Sequence, residues 1–315
     1  MTDQEHLWER RVITKLAQAS LKEQKRARRW SIFFKFLVFA YITFILFMFT
    51  EPDISSTKIK QKHTALVELQ GTIADGETAS ADNIVSALRS AFEDEKTEGV
   101  ILRINSPGGT PVQAGYIYDE ILRLREKYPE TQLYAVVSDM AASGGYYVAS
   151  AADEIYASNS SIVGSIGVRM DGFGVVDAME KLGIESRTLT AGKNKALLDP
   201  FTPVDEDAMK HLQAMIDDIH QQFIDAVKQG RGDRLKEFDE LFTGLIWTGR
   251  EAVEFGLVDD IGSASYVARE VIGAEDIVEY TVEEDMLERL VAVSYTHLTL
   301  PTNTNACRSR GSAGQ

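Results

Sequence analysis

Cysteine is almost missing from this 315-residue chain: there is one, Cys307. That excludes a disulfide-stapled scaffold and a cysteine-rich zinc module. Seven prolines are too few for a proline-rich linker protein, and 23 glycines too few for a collagen-like one. Histidine is thin as well. His6, His63, His211, His220 and His297 are scattered, with no HExxH and no pair at ligand spacing, so no metal site is expected. Positive charge is in deficit, with a net charge of −15, which argues against nucleic acid as the main partner. What remains is ordinary for a chain that buries a real core, 44% hydrophobic and 26% charged residues, in a length that suits about two domains.

The charge is unevenly spread. Residues 1–30 hold eight Lys/Arg against four acids, and Lys35 adds one more cation, which leaves a net −20 beyond residue 50. Between the basic head and the acidic body lies IFFKFLVFAYITFILFMF (Ile32–Phe49), in which Lys35 is the one charge. As a helix this run is about 27 Å long, close to the ~30 Å hydrocarbon core of a bilayer. Trp30 stands where an interfacial aromatic belongs, and Lys35 is near enough to that border to snorkel. The KRARR flank (Lys25–Arg29) puts the N-terminus in the cytoplasm and the acidic body outside. A cleaved signal peptide fits less well, because the basic region is too long and no A-x-A site follows Phe49. A buried core helix fits worse, because the run is apolar on every face.

The organisation expected is a cytoplasmic basic segment (1–30), a transmembrane helix (31–50), a polar linker (51–63), a folded body (64–290) and a disordered or non-native tail (291–315). Within the body, strands are expected at 65–73, 99–105, 132–138, 154–158 and 186–190. Helices are expected at 80–94, 111–127 and 174–182, from Val204 to Gln229, and from near Gly249 and Ala264. Strands alternating with helices at this spacing mean an α/β domain with a largely parallel sheet and flanking helices. The long helix carries Met209, Leu212, Met215, Ile216, Ile219, Phe223, Ile224 and Val227 at spacings of three and four. This stripe packs either on the sheet or partly on a neighbouring subunit. The end of the chain, SYTHLTLPTNTNACRSRGSAGQ (294–315), has no period and no acids. SYTHLTLPTN resembles translated sequencing-adapter read-through at the end of a truncated gene fragment, and no function is assigned to it.

Two glycine-flanked spots are candidates for chemistry. Asn105-Ser106-Pro107-Gly108-Gly109 follows an apolar strand and precedes a helix. Its glycines let backbone N–H groups turn toward a ligand, as an oxyanion hole requires; read alone, it is equally a tight strand–helix turn. Ala142-Ser143-Gly144-Gly145 also follows a buried strand, and Ser143 is either an exposed nucleophile or an ordinary helix N-cap. A nucleophilic serine needs a base. The histidines have no suitable surroundings, which leaves a lysine whose burial keeps it neutral. Lys195 is the candidate, in AGKNKALLDP (Ala191–Pro200), and Lys193 is the alternative.

From about residue 64 to 270 the chain resembles the signal peptide peptidase A family of membrane-bound serine–lysine proteases, in its short, single-repeat form. The likeness rests on GTI (71–73), INSPGG (104–109), ASGGYYVA (142–149), GSIGV (164–168), the Lys195 segment ending in DPF (199–201) and WTGREAVEFGLVDDIG (247–262). It implies a Clp-protease/crotonase-like fold, with Ser143 as nucleophile, Lys195 as general base and Ser165 as the residue that orients the base. Gly108 or Gly109, with the Gly144 N–H, would form the oxyanion hole. It implies no cofactor and a ring-shaped homo-oligomer in which the serine and lysine of one site can come from adjacent subunits. The partners implied are signal peptides and other membrane-associated peptides, with membrane lipid around the anchor. The location implied is the bacterial inner membrane, with the body on its outer side. The rival readings are a related membrane protease with another membrane protein as substrate, and a non-proteolytic acyl-CoA-binding crotonase relative.

Overall fold

The computed structural model describes residues 3–49, the first of these stretches with only part of its side chains, and residues 61–282. The first ten residues of the expected linker, and everything from 283 through the tail, lie outside the described residues. The chain divides into two compact units, Met1–Lys60 and Gln61–Gln315.

The first unit holds one helix, α1 (Asp3–Phe49), which runs without a break through the boundary expected at residue 30. Trp30 packs edge-on to Phe33 and stacks on Phe34, with centroids 5.8 and 5.7 Å apart. Among the described residues no helix is long and apolar enough to cross a membrane. The side chains of residues 46–50, the end of the expected span, lie outside the description.

The second unit is built on a mixed sheet. Its strands are β1 (His63–Gln70), β2 (Thr97–Ser106), β3 (Gln132–Ala142), β4 (Glu154–Ala157), β5 (Ile162–Gly164), β6 (Ile246–Thr248), β7 (Asp260–Ile261) and β8 (Ile277–Glu279). The main path runs β6-β5-β3-β2-β1-β8, with β4 joining β3 to β7. Every pairing is parallel except β5–β6. The central strands are near-continuous apolar runs because both faces are covered. Val100, Leu102 and Ile104 share one core with α2 (Ala81–Glu93), α3 (Pro111–Lys127) and α4 (Gly144–Ala149), while Leu66, Ile101 and Val136 share another with Val267 and Ala268. Strand β3 forks: Tyr134–Val137 pair with β4, and Met140–Ala142 pair with β5. The fork delivers Ser143 at the carboxyl end of β3, with β5 as its neighbour.

Two further helices follow, α5 (Val176–Leu182) and α6 (Glu206–Arg231), then α7 (Gly249–Phe255). The side chain of Asp205 caps α6 by accepting from the Asp207 and Ala208 amides. The C-terminal half of α6 is packed: Phe223, Ala226 and Val227 are buried, and the Phe223 ring lies 5.0 Å from that of Tyr147. At its end the fully buried Arg231 donates to Gly256 O and to both oxygens of Asp259, each at 2.8 Å. Burial pushes the Asp259 carboxyl up, but Arg231, the Ile155 amide and Arg234 outweigh it and hold it below its ordinary value. The N-terminal half differs. Met209 and Met215 of the expected stripe are 41% and 39% exposed. The strand expected at 186–190 is not formed; the segment is irregular and Leu189 is 98% exposed, with no strand beside it to pair with.

Candidate active site

Ser143 is the N-cap of α4, with φ 52° and ψ −125°, a conformation that L-residues rarely adopt. Three hydrogen bonds hold it there. Its amide donates to Gly164 O at 2.9 Å, and its carbonyl accepts from the Tyr146 and Tyr147 amides, each at 2.9 Å. Tyr146 is buried and its hydroxyl donates to Leu257 O at 2.8 Å; burial pushes that hydroxyl well above the ordinary tyrosine range. Among the described residues the Ser143 hydroxyl has no hydrogen-bond partner and is half-buried at the start of the helix.

The NSPGG turn presses directly on this point. A β-carbon on Gly108 would stand 2.7 Å from both the Gly144 nitrogen and Ser143 Cβ, so only glycine fits. A β-carbon on Gly109 would stand 1.9 Å from Ile73 O. The turn makes one parallel bridge to Ile73: Ile73 N donates to Gly108 O at 2.9 Å, and Thr110 N donates to Ile73 O at 2.8 Å. Such a bridge uses the groups on either side of Gly109, so the Gly109 amide points the other way, toward Gly144. The two glycines proposed for one role are therefore not equivalent. The Gly108 amide already donates to Ser106 Oγ at 3.1 Å. Among the described residues the amides of Gly109 and Gly144 have no acceptor. Two free N–H groups beside a serine hydroxyl, at a helix start, form an anion-binding corner.

Ser165 follows the end of β5, also at positive φ (53°). Its amide donates to Leu245 O at 2.7 Å, and the Gly164 carbonyl just before it receives the Ser143 amide. The structure thus brings Ser143, Gly108, Gly109, Gly144 and the Ser165 loop together. Lys195 makes no hydrogen bond to any of them within one chain: Lys195 and Lys193 are exposed, and among the described residues the Lys195 ammonium has no hydrogen bond or ion pair. No group of His, Cys, Asp and Glu suited to a metal is found among the described residues.

Two residues touch this site in ways the sequence did not assign to them, Ser106 although its turn was singled out and His220 with no signal at all. Ser106 is the hydroxyl that engages Gly108. His220, on α6, lies 3.1 Å from Ile166 O through Nε2; a carbonyl only accepts, so Nε2 carries the proton. Its helix alone suggested no special surroundings, because the carbonyl it meets is 54 residues away.

Peptidase family S49 matches residues 125–276, which include Ser143, Gly144, Ser165 and Lys195. The chain is 30% identical over 246 residues to a protein of Enterococcus faecium named "Putative signal peptide peptidase SppA", covering 76% of this chain and 68% of that one. The chain belongs to the signal peptide peptidase A family. Another family relative, "Protease 4" of Haemophilus influenzae, is 34% identical over 203 residues, 63% of this chain and 32% of its own. A Brucella abortus protein named "Na(+)/H(+) antiporter NhaA" is 42% identical over 213 residues, 66% of this chain. This chain spans only 29% of that relative's length, so the name of the whole does not carry over.

Proposed function

We propose that this member of the signal peptide peptidase A family is a membrane-anchored serine endopeptidase that degrades signal peptides left in the membrane after cleavage from their preproteins. The observation that carries the reading is Ser143, held at positive φ on a helix N-terminus between the free amides of Gly109 and Gly144. Ser143 Oγ attacks the peptide carbonyl, the two amides hold the oxyanion, and a neutral lysine amine takes the serine proton. The same amine, now protonated, protonates the leaving nitrogen, and water then releases the acyl group from Ser143.

Lys195 is the proposed base and Ser165 its orienting partner. An amine serves as a base only when neutral, which burial in apolar surroundings favours, and Lys195 is exposed in the single chain. Lys195 therefore acts from the neighbouring copy in a homo-oligomeric ring, where the apolar residues left open on α6 and around it are covered. Met209, Leu198 and Phe201, each at least 41% exposed, suit such a contact. The anchor is Ile32–Phe49 within α1, with the basic KRARR flank in the cytoplasm and the body outside the bacterial inner membrane.

Turnover of a synthetic signal peptide by the full chain in detergent, compared with Ser143→Ala, tests the reading. Wild type should cleave it, faster toward alkaline pH, and Ser143→Ala should be inert. Equal cleavage by both, or no cleavage of the peptide and no labelling of Ser143 by a serine-directed acylating probe, sinks it.

A further inference from the structure

The geometry points to Ser106 as the positioning residue of the oxyanion corner: its buried hydroxyl removes the Gly108 amide from the site and leaves the Gly109 amide facing it. The inference rests on the peptidase reading above.

Ser106 ends β2 and is 0% exposed. Its hydroxyl makes two hydrogen bonds whose directions are fixed by chemistry. It donates to Gly71 O at 2.6 Å, since a carbonyl only accepts, and it accepts from Gly108 N at 3.1 Å, since an amide only donates. Gly71 follows β1 and Gly108 follows β2, so one oxygen atom ties together the turns beyond two neighbouring strands. The Gly71 amide returns the tie by donating to Asn105 O at 3.0 Å.

The consequence falls on the next residue. Gly108 sits at φ 102°, where a glycine has wide rotational freedom. Two hydrogen bonds limit that freedom, its amide on Ser106 and its carbonyl under the Ile73 amide, and a side chain there would strike Ser143. With Gly108 fixed, the peptide plane that carries the Gly109 amide is fixed as well. Without the Ser106 hydroxyl, Gly71 O loses its donor and the Gly108 amide becomes an unpaired buried group. The 108–109 peptide then keeps the Ile73 amide on its own carbonyl but loses the tie on its Gly108 side, and the Gly109 amide is held less closely where an oxyanion forms.

Ser106 touches no reacting atom, so its effect should appear only when an oxyanion is present. The test uses the full-length protein in detergent, with Ser106→Ala and Ser106→Cys; the cysteine fills the volume with a weak hydrogen-bonding group. Three quantities are measured: kcat and KM for a fluorogenic signal-peptide substrate, Ki for the peptide aldehyde of the same sequence, and Kd for the peptide alcohol. The aldehyde forms a tetrahedral adduct with an oxyanion; the alcohol has no carbonyl. Ser106→Ala should lower kcat and weaken the aldehyde by a shared factor of about tenfold to a hundredfold, somewhat below the cost of deleting an oxyanion donor itself. KM and the alcohol's Kd should stay within about twofold of wild type, and Ser106→Cys should fall between. If the alanine variant does not fold, the cysteine variant carries the comparison. Wild-type kcat and aldehyde affinity in a folded variant would overturn the inference, and so would alcohol binding lost in step with kcat. A wild type that neither turns over the peptide nor binds the aldehyde would sink the peptidase reading itself.

Discussion

On either side of Ser143 the chain is buried, from Ala141 to Tyr146; on either side of Lys195, from Ala191 to Pro200, no residue is. Gly108, Gly144, Gly145, Tyr146 and Gly164 are fixed by β3, β5 and α4, with no room for a β-carbon at Gly108 or Gly109. By contrast, residues 181–195 are all exposed and irregular after the end of α5. Their ion pair, Arg187–Glu185, is between side chains more than 70% exposed and adds little stability. α6 spans both regimes, pinned at Arg231 and uncovered toward Met209. The difference separates two tasks. The strained Ser143 and the free amides beside it are assembled by one chain's own core. The base proposed for Ser143, Lys195, is left exposed by it.

Mixing subunits is the most forceful way to break that comparison. Ser143→Ala and Lys195→Ala should each be inactive alone. Mixed under conditions shown to exchange subunits, they should regain a quarter or less of wild-type activity, since some interfaces recover one intact pair. No regain, or a fully active monomer by light scattering, would mean that Lys195 reaches Ser143 within its own chain. Lys193→Ala should remain largely active, and its inactivity would move the base by two residues.

A smaller effect sharpens the comparison at the joint between the two regimes. His220 ties α6 to the Ile166 carbonyl, one residue beyond Ser165. Losing that bond in His220→Ala should lower kcat by about threefold to tenfold, the scale of one hydrogen bond. His220→Gln, which keeps an N–H donor near the same place, should restore most of it. Unchanged kcat in both variants would show that the Ser165 loop is held by Leu245 alone.

Much of the ordered region was legible in the residues. Helices 80–94 and 111–127 and the strands from 65, 99 and 132 announced themselves through apolar spacing, because they fill both faces of one core. The short strands Ile162–Gly164, Ile246–Thr248, Asp260–Ile261 and Ile277–Glu279 did not. Two or three residues carry no period, and their pairing is imposed by neighbours far along the chain. SRTLT (186–190) failed the other way: its local β-propensity has no partner strand to satisfy. The choice between Gly108 and Gly109 could not be read either. It turns on the bridge to Ile73 and on where the Ser106 hydroxyl points, which only the packed turn decides. The stripe on α6 was seen, but not that its C-terminal half alone is buried by this chain.

The backbone at Ser143 has a thermodynamic consequence. With φ 52° and ψ −125°, a serine there is strained by about 1–3 kcal/mol, while glycine takes the same conformation freely. Ser143→Gly should therefore gain about 1 kcal/mol after its greater unfolded-state entropy is subtracted, a rise in Tm of about 2–4 °C. Ser143→Ala, which keeps the β-carbon and the strain, should melt with wild type. Equal melting of all three would show that the backbone relaxes without cost. If the glycine variant melts highest, the fold is more durable without the Ser143 side chain than with it, and a screen for heat resistance alone would select the proposed nucleophile out of existence.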